Sequence, residues 1–256
     1  MSSEHERILR FQRDFALRKA ARTLPLAGGA GLLNDRFPGS HDDNKLLIWS
    51  GDDAGAVLRA ADEVLAGRGH RYVHVHDDRL GRAFAPAFLA AGYEHSVNLT
   101  MIFRGQAPAQ ARPVAEIGLA EMVRVLRRDW RESLPDASEQ VVEELARRVE
   151  YRLRGADSVG FRGVRAADGS IAARADLYRQ DGIAQIESVY TAAGHRGRGH
   201  ARALMEGLLA EAAEADVLFL DADDHDWPKQ FYGRLGFVPL GRTHGFLRVR
   251  ATPAPP

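Results

Sequence analysis

The chain reads as a mixed α/β protein. A mostly antiparallel sheet flanked by helices is predicted for the C-terminal half, preceded by a partial α/β half of the same kind. Three observations predict this. Residues 183–237 run through strand, glycine-rich turn, helix, strand and helix patterns in turn. Asp168-Gly169 and Asp181-Gly182 separate strand-like runs and mark tight turns between them. The order of patterns from Asp53 to Phe103 repeats the tail of the later half.

The elements follow in chain order. Ile8, Phe11 and Phe15 have helical spacing near the N-terminus, so a helix docked on its own domain is expected there. Val57, Ala61, Val64 and Leu65 give a helix over Asp53–Ala66. Tyr72–His76 reads as a strand, Arg82–Ala91 as a short helix and Tyr93–Phe103 as a long strand. The Gly/Pro/Ala/Gln-rich stretch from Gly105 to Pro113 reads as a linker. It sets the expected domains at 1–106 and 113–256, with 107–112 between them. Two helices follow: Leu119–Trp130, with Met122, Val123 and Leu126 on one face, and Ser138–Leu153, with Val141, Val142, Leu145 and Val149. Strands are expected at Ser158–Arg165, Ser170–Arg179 and Ile183–Thr191, then a helix at Arg202–Ala215. Strand Val217–Asp221, helix Trp227–Leu235 and strands Phe237–Leu240 and Phe246–Arg250 complete the list.

Composition limits what the protein does. The chain has 256 residues, 45% hydrophobic and 27% charged, with a formal net charge of zero. That is ordinary for a soluble globular protein. No broad basic or acidic face for nucleic acid or a membrane surface is implied. There is no cysteine, which excludes disulfides, thiolate metal sites and a cysteine nucleophile. No apolar run approaches the roughly 20 residues needed to span a bilayer. The first residues lack the apolar stretch of a secretory signal, so the expected location is the cytoplasm.

The turn His195-Arg196-Gly197-Arg198-Gly199-His200-Ala201 carries the chemistry. Glycines let main-chain amides approach an anion closely. A helix start adds unpaired N–H groups and a positive dipole end. With two arginines, the turn predicts a diphosphate cradle and hence a phosphate-bearing cofactor.

The upstream half is a degenerate copy of this arrangement. An offset of 146 places Leu58 on Leu204 and Asp77-Asp78 on Asp223-Asp224. An offset of 144 places Phe88 on Tyr232 and Gly92-Tyr93 on Gly236-Phe237. The first copy has Ser50-Gly51-Asp52-Asp53 where the second has Arg196–Gly199. Two carboxylates at a helix start cap it well and repel a diphosphate. Phe88 also lacks the phenol of Tyr232.

These residues resemble the GCN5-related N-acetyltransferase (GNAT) superfamily. Its signature, Gln/Arg-x-x-Gly-x-Gly/Ala after the fourth strand, is matched by Arg196-Gly197-Arg198-Gly199-His200-Ala201. Its later Tyr-x-x-x-Gly-Phe element is matched by Tyr232-Gly233-Arg234-Leu235-Gly236-Phe237. The likeness covers about Pro113 to Arg250, and the first half looks like the degenerate copy of tandem members. The resemblance implies a GNAT fold and acetyl-CoA as cosubstrate for acyl transfer to an amine. The amides of residues 197–201 would then hold the pyrophosphate, with Arg196 beside them. The fourth strand would splay at a bulge, and its amides near Val189, Tyr190 and Thr191 would pair with the pantetheine arm. Glu187 matches the carboxylate that some members use as general base, and Tyr232 the tyrosine near the departing sulfur. Ala193 stands where many relatives carry proline. Many relatives place an asparagine where Asp221–Pro228 stands, and its role is assigned to no single residue of that stretch.

Other readings compete. A non-catalytic acyl-CoA-binding or interaction module would use the same turn without turnover. A P-loop nucleotide site is disfavoured, since His200-Ala201 supplies neither its lysine nor its magnesium-binding hydroxyl. The acidic run Asp221–Asp226 lacks the glycine and distal glutamate of a calcium loop. It reads as a solvated loop or an anionic mouth for a cationic amine. His74 and His76 lie on one strand face about 7 Å apart; with Asp78 they could ligate zinc, but they read as surface or half-buried strand histidines. No metal is expected. Trp49, Trp130 and Trp227 read as packing residues. The partner is a small-molecule or peptide amine, with no nucleic acid or membrane. Oligomeric state is open, and a monomer fits a fused second copy.

Overall fold

The computed structural model describes residues 3–249. They fall into two compact units. Unit 1 takes the chain up to Lys19, Met101–Asp221 and Gln230–Val238; unit 2 takes Ala20–Thr100, Ala222–Lys229 and the chain from Pro239. The expected linker, residues 107–112, lies within unit 1.

The chain opens with α1 (Glu4–Lys19), which is part of unit 1. The reason is packing. Ile8 and Phe11 are buried, Phe11 meets Phe219 edge-on at 5.7 Å, and Phe15 stacks on Tyr178 at 4.4 Å. The Phe15 ring fills the space that a side chain at Gly155 would take.

Unit 2 follows with β1 (Arg22–Leu26), β2 (Gly29–Leu33), β3 (Lys45–Ile48), α2 (Ala54–Val64), β4 (His70–Val75) and α3 (Asp78–Ala90). β5 (Glu94–Phe103) then runs out of unit 2 into unit 1. The strands lie in the order β1-β2-β3-β4-β11, where β11 is Phe237–Val249. β3 and β4 are parallel, from Leu46↔Val73 to Ile48↔Val75, so their pairing lasts to the end of both strands. Asp53 caps α2 by accepting from the Ala56 amide at 2.9 Å, as its sequence context predicts. Apolar residues of α2 and α3 close over the sheet in a core of Leu46, Ile48, Val73, Phe84, Phe88 and Phe246.

Unit 1 continues with β6 (Ala115–Glu116), α4 (Leu119–Ser133), α5 (Glu139–Arg147), α6 (Val149–Arg152), β7 (Ser158–Arg165), β8 (Ile171–Gln180) and β9 (Ile183–Thr191). Then come α7 (His200–Glu211), β10 (Val217–Asp223) and α8 (Pro228–Arg234). The strand order is β10-β9-β8-β7-β6. β7, β8 and β9 form an antiparallel meander, and β9 and β10 are parallel. Gly169 and Gly182 have positive φ (83° and 73°) at the two hairpin turns, where Asp-Gly places the residue free of a Cβ penalty. A cluster of Met122, Val123, Leu126, Ala146, Val149 and Phe161 joins α4–α6 to the sheet, with Trp130 packed against it.

The fold is thus mixed α/β with a mostly antiparallel sheet, as predicted, but several elements differ. β1 and β2 were not legible, because glycines and Pro25 interrupt their apolar runs. The single helix predicted over Ser138–Leu153 is two, meeting at Arg148. The two last strands are one, β11, because Thr243 and His244 are buried and bonded to His74 and Asp78 rather than looped out. Trp227 is 66% exposed and does not pack in a core. Arg250, the predicted end of the last strand, lies outside the described residues.

Candidate active site

The predicted site residues all belong to unit 1: Tyr232 is on α8, and the rest run from the end of β9 to the start of α7. The β9–β10 register runs from Ile183↔Val217 to Gln185↔Phe219 and ends there, although both strands continue. The two strands therefore part after Gln185, leaving β9 without a β10 partner over residues 186–191. On its other side β9 is bulged. Asp176 pairs with Glu187 and Arg174 with Tyr190, so Ser188 and Val189 together oppose Ala175. Ser188 takes φ of 55°, a left-handed conformation that side chains other than glycine seldom adopt. Val189, Tyr190 and Thr191 are half-buried here, at the fork.

Beyond the fork the chain makes a short turn and enters α7. Gly197 and Gly199 have φ of 73° and 80°, and a Cβ on either would meet open space. Conformation, not crowding, selects glycine at both positions. α7 has no side-chain cap. Among the described residues, the amides of 197–202 donate to no protein acceptor. Arg196 is folded back, its Nε donating to the Thr191 carbonyl at 3.2 Å. Arg198 is exposed and without an ion-pair partner among the described residues. His200 and Ala201 begin the helix, and the His195 and His200 rings meet at 5.7 Å. Arg198, Gly199 and His200 also line a cavity of about 500 Å³ with Arg112, Val114 and Arg165. Donors, dipole and cations therefore converge on one spot that suits a diphosphate.

Glu187 sits at the mouth of the fork, half-buried. Its Oε2 accepts from Gln185 Nε2 at 2.9 Å and its Oε1 from the Ser188 amide at 3.1 Å. Burial, then the Asp221 carboxylate, push its pKa up to about 7, against the pull of Arg152 and the Ser188 N–H. Tyr232, on α8, is buried. Burial, then the negative charge of Glu187, push its pKa up to about 12. Its hydroxyl makes no hydrogen bond to the described protein. The charge of Glu187 thus acts on Tyr232: the carboxyl ionises near neutrality and the phenol stays protonated.

Sequence reasoning missed a supporting set. Gln12 of α1 donates to Asp221 Oδ2 at 2.6 Å. Arg152 of α6 pairs with the fully buried Asp176 at 2.5 Å and donates to Ser188 Oγ at 3.1 Å. Tyr178 donates to the same carboxylate at 2.7 Å. Arg174 pairs with buried Asp129 at 2.8 Å, donates to the Ser188 carbonyl at 3.3 Å, and lies over the Tyr190 ring at 5.0 Å. None of these residues belongs to a motif. Their only sequence trace is the charge they place inside apolar patterns.

The acidic run after β10 is partly neutralised. Within unit 2, Asp224 pairs with Arg242 at 2.7 Å and Lys229 at 3.2 Å, and Asp223 accepts from the His225 amide at 2.7 Å.

Residues 119–237 match the sequence model of the Acetyltransferase (GNAT) family. This segment is a GNAT domain. It holds both the glycine turn and Tyr232. The whole chain is also similar to a GCN5-related N-acetyltransferase from Kribbella flavida, at 17% identity over 98% of each chain and a TM-score of 0.66. It is similar to a tandem GNAT protein from the clavulanic acid biosynthesis pathway at 16% identity, covering 98% of this chain and 96% of that one, with a TM-score of 0.55. A functionally unknown conserved protein from Staphylococcus epidermidis matches at 11% identity over 90% and 94%, with a TM-score of 0.70. At such identities the likeness is one of fold. No curated protein matches the chain by sequence. The GNAT domain brings acyl transfer with it as the general activity. No helix among the described residues is long and apolar enough to cross a membrane.

Proposed function

We propose that the GNAT domain moves an acetyl group from acetyl-CoA to an amine by direct attack within a ternary complex. The observation that carries this reading is the parting of β9 from β10 ahead of the glycine turn, with Glu187 at the fork and its charge acting on Tyr232 of α8. The unpaired amides of 197–202 and the positive-φ glycines fit a diphosphate. The unpartnered side of β9 near Val189, Tyr190 and Thr191 fits an extended pantetheine arm. Acetyl-CoA supplies an activated thioester carbonyl.

The protein's own part is proton management. Glu187, ionised above about pH 7, takes the proton that an ammonium acceptor must lose before its nitrogen can attack. A main-chain N–H near Val189, past the Ser188 amide that Glu187 occupies, polarises the carbonyl. Tyr232, held neutral, gives a proton or a hydrogen bond to the sulfur as the C–S bond breaks. The bond to nitrogen forms and the bond to sulfur breaks; nitrogen gives up two protons, one to the Glu187 carboxylate and one that restores the Tyr232 phenol after its own has passed to sulfur.

The first half is the degenerate copy in this reading. Its order β3, turn, α2, β4, α3, strand repeats β9, turn, α7, β10, α8, strand. Its parallel pair stays closed to the strand ends, Asp53 blocks the helix start, and Phe88 stands for Tyr232. The fold likeness to a tandem GNAT protein supports it.

The test is thiol release from acetyl-CoA over a panel of amines. Tyr232→Phe should lower turnover by about 10²-fold and leave acetyl-CoA binding intact. Binding without turnover on any amine, and no effect of Tyr232→Phe, would instead support an acyl-CoA-binding module.

A further inference from the structure

Ser188 is held at three separate points. Its amide donates to Glu187 Oε1 at 3.1 Å, its carbonyl accepts from Arg174 Nη1 at 3.3 Å, and its hydroxyl lies 3.1 Å from Arg152 Nη1. It is also the residue at which β9 bulges, with φ of 55°. A serine in that conformation persists only where its surroundings over-determine it. The two arginines do so, and each is fixed in turn. Arg152 is clamped by Asp176, which is fully buried and also accepts from Tyr178. Arg174 is clamped by Asp129 of α4, which is 3% exposed. Arg152 of α6 reaches Ser188 directly, while Asp129 of α4 acts on it through Arg174 of β8.

The consequence is mechanical. A bulge left to itself has slack, since the extra residue pairs with nothing. Here the slack is removed by bonds to the hydroxyl and the carbonyl, and the amide passes the constraint to the carboxylate next door. The carboxylate and the bulge move as one piece.

We propose that Arg152 and Ser188 are positioning residues for acyl transfer: Arg152, anchored on Asp176, fixes the Ser188 hydroxyl, and Ser188 fixes both the bulged amides and the Glu187 carboxylate. This rests on the reading of Glu187 as the base. Arg152 also acts on that base by charge. Its guanidinium is among the groups that pull the Glu187 pKa down against burial and Asp221.

Three variants separate the mechanical and electrostatic parts. Ser188→Ala removes the hydroxyl and leaves charge, amide and carbonyl in place. Arg152→Met removes the charge as well, and Arg152→Lys keeps it. The first readout is a pH titration of the Glu187 side-chain carboxyl by carbon NMR on glutamate-labelled protein, the resonance being assigned by its loss in Glu187→Gln. It needs no acceptor. The midpoint should move to higher pH in Arg152→Met, return toward the wild-type value in Arg152→Lys, and stay in Ser188→Ala. The second readout is thiol release with the best amine of the panel. Ser188→Ala should lower kcat about tenfold, as expected for a loosened reacting geometry, with the melting temperature and acetyl-CoA affinity little changed.

If Arg152→Met does not fold, the lysine and alanine variants carry the test. An unmoved midpoint in a folded Arg152→Met, or full kcat in Ser188→Ala, overturns the positioning role. Failure of the base reading looks different: the acid limb of the rate profile then survives Glu187→Gln, whatever the Arg152 and Ser188 variants do.

Discussion

Glu187 is a carboxyl whose surroundings change its chemistry. Its folded-state pKa stands near 7, from an ordinary value of 4.5, because burial and Asp221 outweigh Arg152 and one amide. Folding stability inherits that shift. Below about pH 4.5 both folded and unfolded chains hold the proton. Between there and about pH 7 the folded chain keeps it while the unfolded chain gives it up. The contribution of Glu187 to stability is therefore complete at low pH and is lost as pH rises through 7. Glu187→Gln removes the titration. The melting temperature of the wild type, minus that of the variant, should fall between pH 4.5 and pH 8; a constant difference would show that the carboxyl titrates normally. Glu143, held down to about 2 by Arg127 and Arg147, works in the opposite sense, which is why the difference between proteins, not the raw curve, is informative. Glu187 and Tyr232 were readable as base and acid through the family resemblance, which rests on the glycine turn and the Tyr232–Phe237 element. The residues that tune them were not, since Arg152, Asp176 and Gln12 reach the site through tertiary packing alone.

At the scale of elements, the turn into α7 is decided by two glycines with positive φ. Any side chain at Gly199 is strained, and a carboxylate there would also stand at the mouth of the free amides. Gly199→Asp should abolish detectable acetyl-CoA binding by calorimetry while the protein stays folded; unchanged affinity would place the diphosphate elsewhere. Strands β7 and β9 appear over the residues their patterns predict, because hydrophobic runs bounded by Asp-Gly leave little choice of register. The bulge at Ser188 was placed in the right region only through family resemblance. Its residue could not be read, because nothing local requires serine to adopt φ of 55°. β11 was split in two for a related reason. Its polar middle looks like a turn until buried Thr243 and His244 find their partners across the sheet.

For the whole molecule, a linear cut at residues 107–112 does not describe the packing. α1 belongs with unit 1 through Phe11, Gln12 and Phe15, and the end of β11 belongs with unit 2 through its pairing with β4. A sequence offers no local sign of such an exchange, because the decisive contacts are about 200 residues apart in the chain. Unit 2 has an aromatic core of its own. Phe88 is fully buried against Phe84, Tyr93 and Phe246. Phe88→Ala should cost about 3–5 kcal/mol in urea unfolding, the usual loss for a large core aromatic. Its acetyl-CoA affinity per folded molecule should equal that of the wild type. A weakened affinity in the folded variant would give the first half a direct share in the cofactor site.

The bare start of α7 has one last effect. Among the described residues, the six successive main-chain hydrogens at 197–202 face no acceptor, so no bond among those residues has to be broken before an anion can be seated. Deuterium from heavy water should enter these positions freely in the empty enzyme and be shut out in the loaded one. The turn thereby reports its own occupancy without any label beyond the solvent.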